Sequence, residues 1–280
     1  MTFGDKCFFS PTMDDFQASL RKVPVFDQWF TFAHELNGFS LSLLWNHDVP
    51  SADNQKVTIC ALFVRAQQSF QAAVLLAELG MLSDARVVLR SAVEAAIALH
   101  GLEGDNKFID QLVEDHRLHQ RKVARLVLGN PNYKAAHSAD EIKQMEDTIR
   151  EVDSIEASKG RKLHDIKWDQ VAAKYCKDLY DLLYRLLSND GTRVNLNAIQ
   201  RFLSFDKHDT LTGMRVGPDI SDLVNVLSMA CLMILWASGP FIRVFAKPGG
   251  EEKLQIYMQR FDALPHCEPA DVRIVGSDQP

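Results

Sequence analysis

Arg90 and Glu94 stand four residues apart in a stretch, Ser83 to Leu99, that is otherwise almost wholly apolar. On a helix that spacing puts both on one face, in line with Ser83, Arg86 and Ser91. An arginine in a cleft can hold a phosphate while a carboxylate fixes its orientation. The same two residues can equally form an ion pair that only holds the fold. A second group follows later. Tyr180 and Tyr184 are one helical turn apart, and Arg185, Arg193, Arg201, Lys207 and Arg215 make this the most cationic part of the C-terminal half. A tyrosine here can stack on a base or hydrogen-bond to a ligand. His208 follows Arg201 with six residues between them. A histidine can move a proton to or from a 2′-hydroxyl or a leaving oxygen, and an arginine can stabilise a charged phosphorane. Asp206 and Asp209 beside His208 would repel a phosphate, so His208 also reads as a plain loop residue. The candidate polar cluster is therefore Arg90, Glu94, Tyr184, Arg185 and Arg193.

His116 and His119 are three residues apart, with Glu114 and Asp115 beside them. Helical metal sites use such spacings, but this helix holds no Glu-x-x-His and the chain holds no HExxH. With Arg117, Arg121, Lys122 and Arg125 they form a basic run, either a solvated face or a phosphate-binding one. The chain also has no GxGxxG, Walker or GxSxG motif. We expect no metal and no cofactor.

Helices must carry these residues, because runs of period 3.6 dominate and strand signals are scarce. The pattern predicts helices over 26–46, 56–79, 84–100, 105–128, 139–159, 168–188, 195–203 and 219–246, and a short one over 251–261. Gly80 ends one apolar run as a C-cap and Ser83 offers the next N-cap. Ser138 and Glu141 form a capping box, S-x-x-E. Asn130-Pro131-Asn132 and Asn189-Asp190-Gly191 read as turns, and Pro248-Gly249-Gly250 ends the long apolar helix. The helix over 139–159 is highly charged and shows only a narrow apolar seam of Ile142, Met145, Ile149, Val152 and Ile155. It reads as a projecting helix, either solvated or in contact with a partner. The expected fold is all-α: a multi-helix bundle around the apolar hairpin 56–79/84–100, in one domain over 1–264, with a flexible tail over 265–280.

Composition narrows the classes. The chain has 280 residues, is 46% hydrophobic and carries a net charge of −6. A globally basic nucleic-acid footprint is absent, though a local patch is compatible with these numbers. Its five cysteines are widely spaced with no CxxC, which fits neither a disulfide framework nor a zinc cluster and suggests a reducing cytoplasm. The N-terminus lacks the basic start and apolar stretch of a signal peptide. Leu223 to Ile242 holds no charged residue and approaches the length of a membrane span. Asn225, Ser228, Ser238, Gly239 and Pro240 interrupt it, so we read a buried core helix and no membrane contact. The turn Leu79 to Ala85 is similar to a tetratricopeptide hairpin, but no second copy follows at that period.

Two blocks resemble a bacterial helical family, domain of unknown function 5677. The first runs from Ala73 to Glu94 and carries Leu75-Leu76, Gly80, Ala85, Leu89-Arg90-Ser91 and Glu94. The second runs from Trp168 to Leu203 and carries Tyr180, Tyr184-Arg185, Leu187-Ser188-Asn189-Asp190 and Ala198 to Phe202. The resemblance implies an all-α protein and no particular activity. A histidine commonly follows the Ser-Asn-Asp turn in the family's second block, where this chain has Gly191-Thr192-Arg193. An Arg-x(4–6)-His spacing is also the mark of HEPN ribonucleases, a likeness at the level of fold. Two functions are expected from this. One is a non-catalytic module that binds a protein partner or forms a homo-oligomer. The other is a phosphate- or nucleic-acid-acting protein, a degenerate HEPN-like ribonuclease of a defence or toxin system.

Overall fold

A computed structural model describes residues 4–45, 48–190, 196–206, 208 and 210–266. Arg193, the Gly191 turn position, Lys207 and most of the expected tail lie outside the described residues. The helices are α1 (Met13–Leu20), α2 (Pro24–Leu43), α3 (Asn54–Glu78), α4 (Leu82–Gly104), α5 (Phe108–Gly129), α6 (Pro131–Ala135), α7 (Ala139–Lys159), α8 (Trp168–Tyr175), α9 (Lys177–Leu179), α10 (Arg185–Asp190), α11 (Leu196–Gln200), α12 (Leu223–Val244) and α13 (Gly250–Asp262). A single turn of π-helix, Tyr180–Tyr184, joins α9 to α10.

The protein is an all-α, multi-helix bundle. α3 and α4 form the expected apolar hairpin, and α12 packs against both and against α2. The centre is filled by side chains of opposite helices, such as Phe63 and Phe241, whose rings stack 4.4 Å apart. Burial of this kind contributes about 25 cal/mol per Å² of apolar surface, which is why the least polar helices lie innermost. α3 and α12 are both long and apolar enough to cross a membrane, and 78% of the apolar window of α12 is buried inside the protein, against 39% for α3.

Gly80 does turn the hairpin, with φ of +72°. A Cβ there would lie 2.7 Å from Pro218 Cβ and 2.9 Å from the Asp219 nitrogen, so both its conformation and its lack of a side chain matter. Ser83 is not the N-cap: α4 starts earlier and Met81 occupies that position with no side-chain cap. The capping box at Ser138 and Glu141 is present, and α7 spans the predicted range.

α7 lies against α5, over a small apolar cluster of Leu118, Val152 and Leu163 that is separate from the main core. Arg121 on α5 and Glu156 on α7 join them by a two-pronged pair, with Nη–Oε distances of 2.9 and 3.0 Å. Lys162 Nζ and the Leu163 N–H also donate to Glu156. These hydrogen bonds hold the Glu156 carboxyl far below the usual carboxylate range.

Two predicted elements differ. The helix expected over 168–188 is interrupted at Cys176, with φ of −159° and ψ of 55°. The apolar period Ala172, Cys176, Leu179, Leu183, Leu187 runs on through the break, so periodicity cannot reveal it. Beyond α11 the chain forms a hairpin of β1 (Leu203–Phe205) and β2 (Leu211–Met214), paired antiparallel with a bulge after Ser204. Its loop is closed by the Asp206 carboxylate, which accepts the N–H groups of His208 and Thr210 at 2.8 and 2.9 Å.

Candidate functional site

The polar stripe of α4 divides its work. Arg86 is fully buried and its guanidinium pairs with Asp222, to which Arg201 also bonds at 3.2 Å. Ser91 accepts from Arg65 of α3 at 2.7 Å. Arg90 reaches across to the π-helical turn and to α10.

Every nitrogen of the Arg90 guanidinium meets a protein acceptor. Nη1 lies 2.6 Å from Glu94, Nε donates to Ser188 Oγ at 2.8 Å, and Nη2 donates to the Tyr184 hydroxyl at 2.6 Å. That hydroxyl in turn donates to Glu94 at 3.4 Å. Burial pushes the Tyr184 phenol up, with Arg90 opposing and Glu94 reinforcing the shift, so the group stays a proton donor. The π-turn inserts an extra residue into the helical winding and so re-aims the side chains that follow it. Tyr180 and Tyr184 stack at 4.7 Å, and the guanidinium of Arg90 lies 4.0 Å from the centroid of the Tyr184 ring.

Of the expected cluster, Arg90, Glu94 and Tyr184 come together. Arg185 does not join them. Its Nε is 3.4 Å from Asp181, its side chain is 67% exposed, and its guanidinium lies 5.6 Å from the centroid of the Tyr180 ring. Arg193 lies outside the described residues. Ser188 stands in the Leu187-Ser188-Asn189-Asp190 motif, and its partnership with Arg90 cannot be read from one helix face, since it depends on how two distant elements dock. No histidine is among the hydrogen-bond partners of the network in the described residues. Chemically, the group is a closed lock between α4 and α10.

The other sequence candidates lie apart. His116 and His119 are exposed on α5, and among the described residues no three His, Cys, Asp or Glu converge to hold a metal. Arg201 follows α11 and bonds to Asp222, while His208 is exposed in the β-hairpin loop, so the two are not carried by one helix. The missed feature is a set of exposed apolar side chains over 196–216: Leu196, Ile199, Phe202, Phe205, Leu211, Met214 and Val216, each between 41% and 77% exposed. Reading that stretch as a short helix and a polar loop concealed it. Its signal was the apolar alternation Leu203, Phe205 before a loop and Leu211 after it.

The model of a family described as "Family of unknown function (DUF5677)" matches residues 56–210, a span that holds both sides of the Arg90 lock. No curated protein and no solved structure matches the chain.

Proposed function

The chain belongs to the DUF5677 family, and from that premise we propose that it is a non-catalytic interaction module that dimerises through the surface 196–216. The observation that carries this reading is the concentration of exposed apolar side chains on α11 and the β-hairpin. Exposed apolar groups gathered in one place mark surfaces that bind something. A two-stranded hairpin is also marginal by itself and presents unpaired backbone edges. A second copy meeting it across a two-fold axis would extend the sheet and cover Phe205 and Leu211. Asp206 and Arg215 lie at either end of the hairpin, so such a face carries both signs of charge and is complementary to itself.

The charged helix α7 is the weaker contact, because Val152 and Ile155 of its seam already pack against α5. The reading takes the protein as cytoplasmic and bacterial. The burial of α12 and the buried thiols of Cys176 and Cys231 agree with a cytoplasmic place. The ribonuclease alternative has less support: each nitrogen of the Arg90 guanidinium already meets a protein acceptor, and Arg201 and His208 sit on different elements.

Sedimentation equilibrium tests the proposal. The native chain should be dimeric at micromolar concentration, and Phe205→Asp with Leu211→Asp should be monomeric with unchanged helical circular dichroism. A monomeric native chain, or a dimer untouched by the two substitutions, would sink it.

A further inference from the structure

We infer that a cleft between the α5–α7 pair and α8 binds a nucleoside monophosphate. It lies on elements remote from the dimer surface and does not depend on that reading. The cleft encloses about 650 Å³, walled by the first turns of α5, the connection 161–167 and α8. That volume falls within the usual range for small-molecule sites. Phe108 and Val171 give it a buried apolar floor.

Its walls are held in place before any ligand arrives. The Ile166 N–H donates to Asp115 at 2.9 Å and the Leu163 N–H donates to Glu156 at 3.0 Å, so both ends of the connection are anchored. Pre-ordered walls lower the cost of binding.

The charge of the cleft is opposite to that of the chain. The protein as a whole carries −6. Arg161, His164, Lys167 and Lys174 line the cleft against Glu114 and Asp165. Both carboxylates are already engaged by cations. Glu114 takes Lys159 at 2.6 Å and Arg161 at 2.8 Å, which holds its carboxyl below the usual range, and Asp165 takes Lys122 at 2.7 Å. Lys174 is 3.9 Å from Asp105, a loose contact, with its ammonium 4.6 Å from the Tyr175 ring centroid. Lys167 is exposed on the rim. With His164 neutral, three lining cations face two carboxylates, and Lys159 and Lys122 behind them outweigh Asp105 beside Lys174, so the cleft keeps a net positive charge that a phosphate complements. Lysines serve as point charges for phosphate and the arginine as a planar donor. Gln111 and Gln170, also on the walls, each offer an amide donor and acceptor, which suits the edge of a base. Phosphate, apolar body and polar edge together describe a mononucleotide.

Isothermal titration of the full chain at low salt, with AMP and GMP as probes and with adenosine and inorganic phosphate as controls, tests this. The nucleotides should bind, inorganic phosphate more weakly and adenosine not at all. Lys167→Glu should weaken nucleotide binding by about tenfold or more, equivalent to ~1.4 kcal/mol, and Lys174→Gln should weaken it less, with both variants keeping the native melting temperature. Rising salt should weaken it further. Absence of binding by any phosphate-bearing probe at millimolar concentration, or binding unchanged in both variants, would overturn the inference. Equal affinity for inorganic phosphate and the nucleotides would overturn the assignment of a nucleoside.

Discussion

The hydroxyl of Tyr184 lies 2.6 Å from Nη2 of Arg90, a residue 94 positions earlier in the chain. That bond joins the two blocks on which the family likeness rests, one in α4 and the other at the π-helical turn and α10. The Ser188 bond to Nε of the same guanidinium makes the junction two-pointed. A charge-assisted lock of this sort orients α10 on α4 and engages each nitrogen of the guanidinium once within the protein.

Tyr184→Phe removes the hydroxyl and leaves the ring. Hydrogen bonds to a charged group contribute about 1.5–3 kcal/mol, so this variant should lose stability on that scale. Arg90→Met should lose at least as much. A double-mutant cycle in urea should show the pair coupled by about 1 kcal/mol or more. Independent, additive effects would mean the contact contributes little.

Gly80→Ala places a side chain where φ is +72° and where Pro218 is 2.7 Å away. Strain and collision together should cost about 1–3 kcal/mol, seen as a lower thermal midpoint. An unchanged midpoint would show that the approach of Pro218 to the hairpin is soft.

Acid should weaken the fold through His100. Burial pushes its pKa down to about 4, an effect that Glu103 opposes, Arg243 assists and the Trp236 carbonyl opposes. The unfolded chain would take up a proton near pH 6.5 that the folded chain refuses until about pH 4. Stability should therefore be level above that window and fall as pH drops through it, by at most about 3 kcal/mol. Urea titrations at several pH values check the slope, which His100→Gln should flatten. An equal slope in both proteins would assign the acid effect to other groups.

Glu156→Gln breaks the two-pronged pair with Arg121 and weakens the bonds from Lys162 and Leu163. Amide exchange should quicken along α7 and the segment after it while the α3–α4 hairpin keeps its protection. Because the Glu156 carboxyl is held low, its stabilisation is present above the ordinary carboxylate pKa and is lost as pH falls towards the depressed one. Uniform quickening over the whole protein would mean that α5 and α7 do not open as a separate unit.

The bundle was legible where local signals and burial agreed. The range of α7 follows from Ser138 and Glu141, and the α3–α4 hairpin from Gly80 between two apolar runs. Arg90 and Glu94 were legible as a pair because they share one helix. Tyr184 could be suspected only as an aromatic near cations, and the places of Ser188 and Arg185 depend on a π-turn that no periodicity encodes. The β-hairpin was missed because its strands are three and four residues long and lie beside a helix-like stretch. The α5–α8 cleft was not legible because Arg161 and Lys167 on the connection and Lys174 on α8 meet only when those elements fold against α5.

The account rests most heavily on the surface 196–216, and amide hydrogen exchange of the hairpin, measured over a dilution series, tests it most directly. The backbone amides of 203–214 should exchange slowly at high protein concentration and fast on dilution, while those of α3 and α4 stay unchanged. Identical hairpin exchange at every concentration would contradict the account.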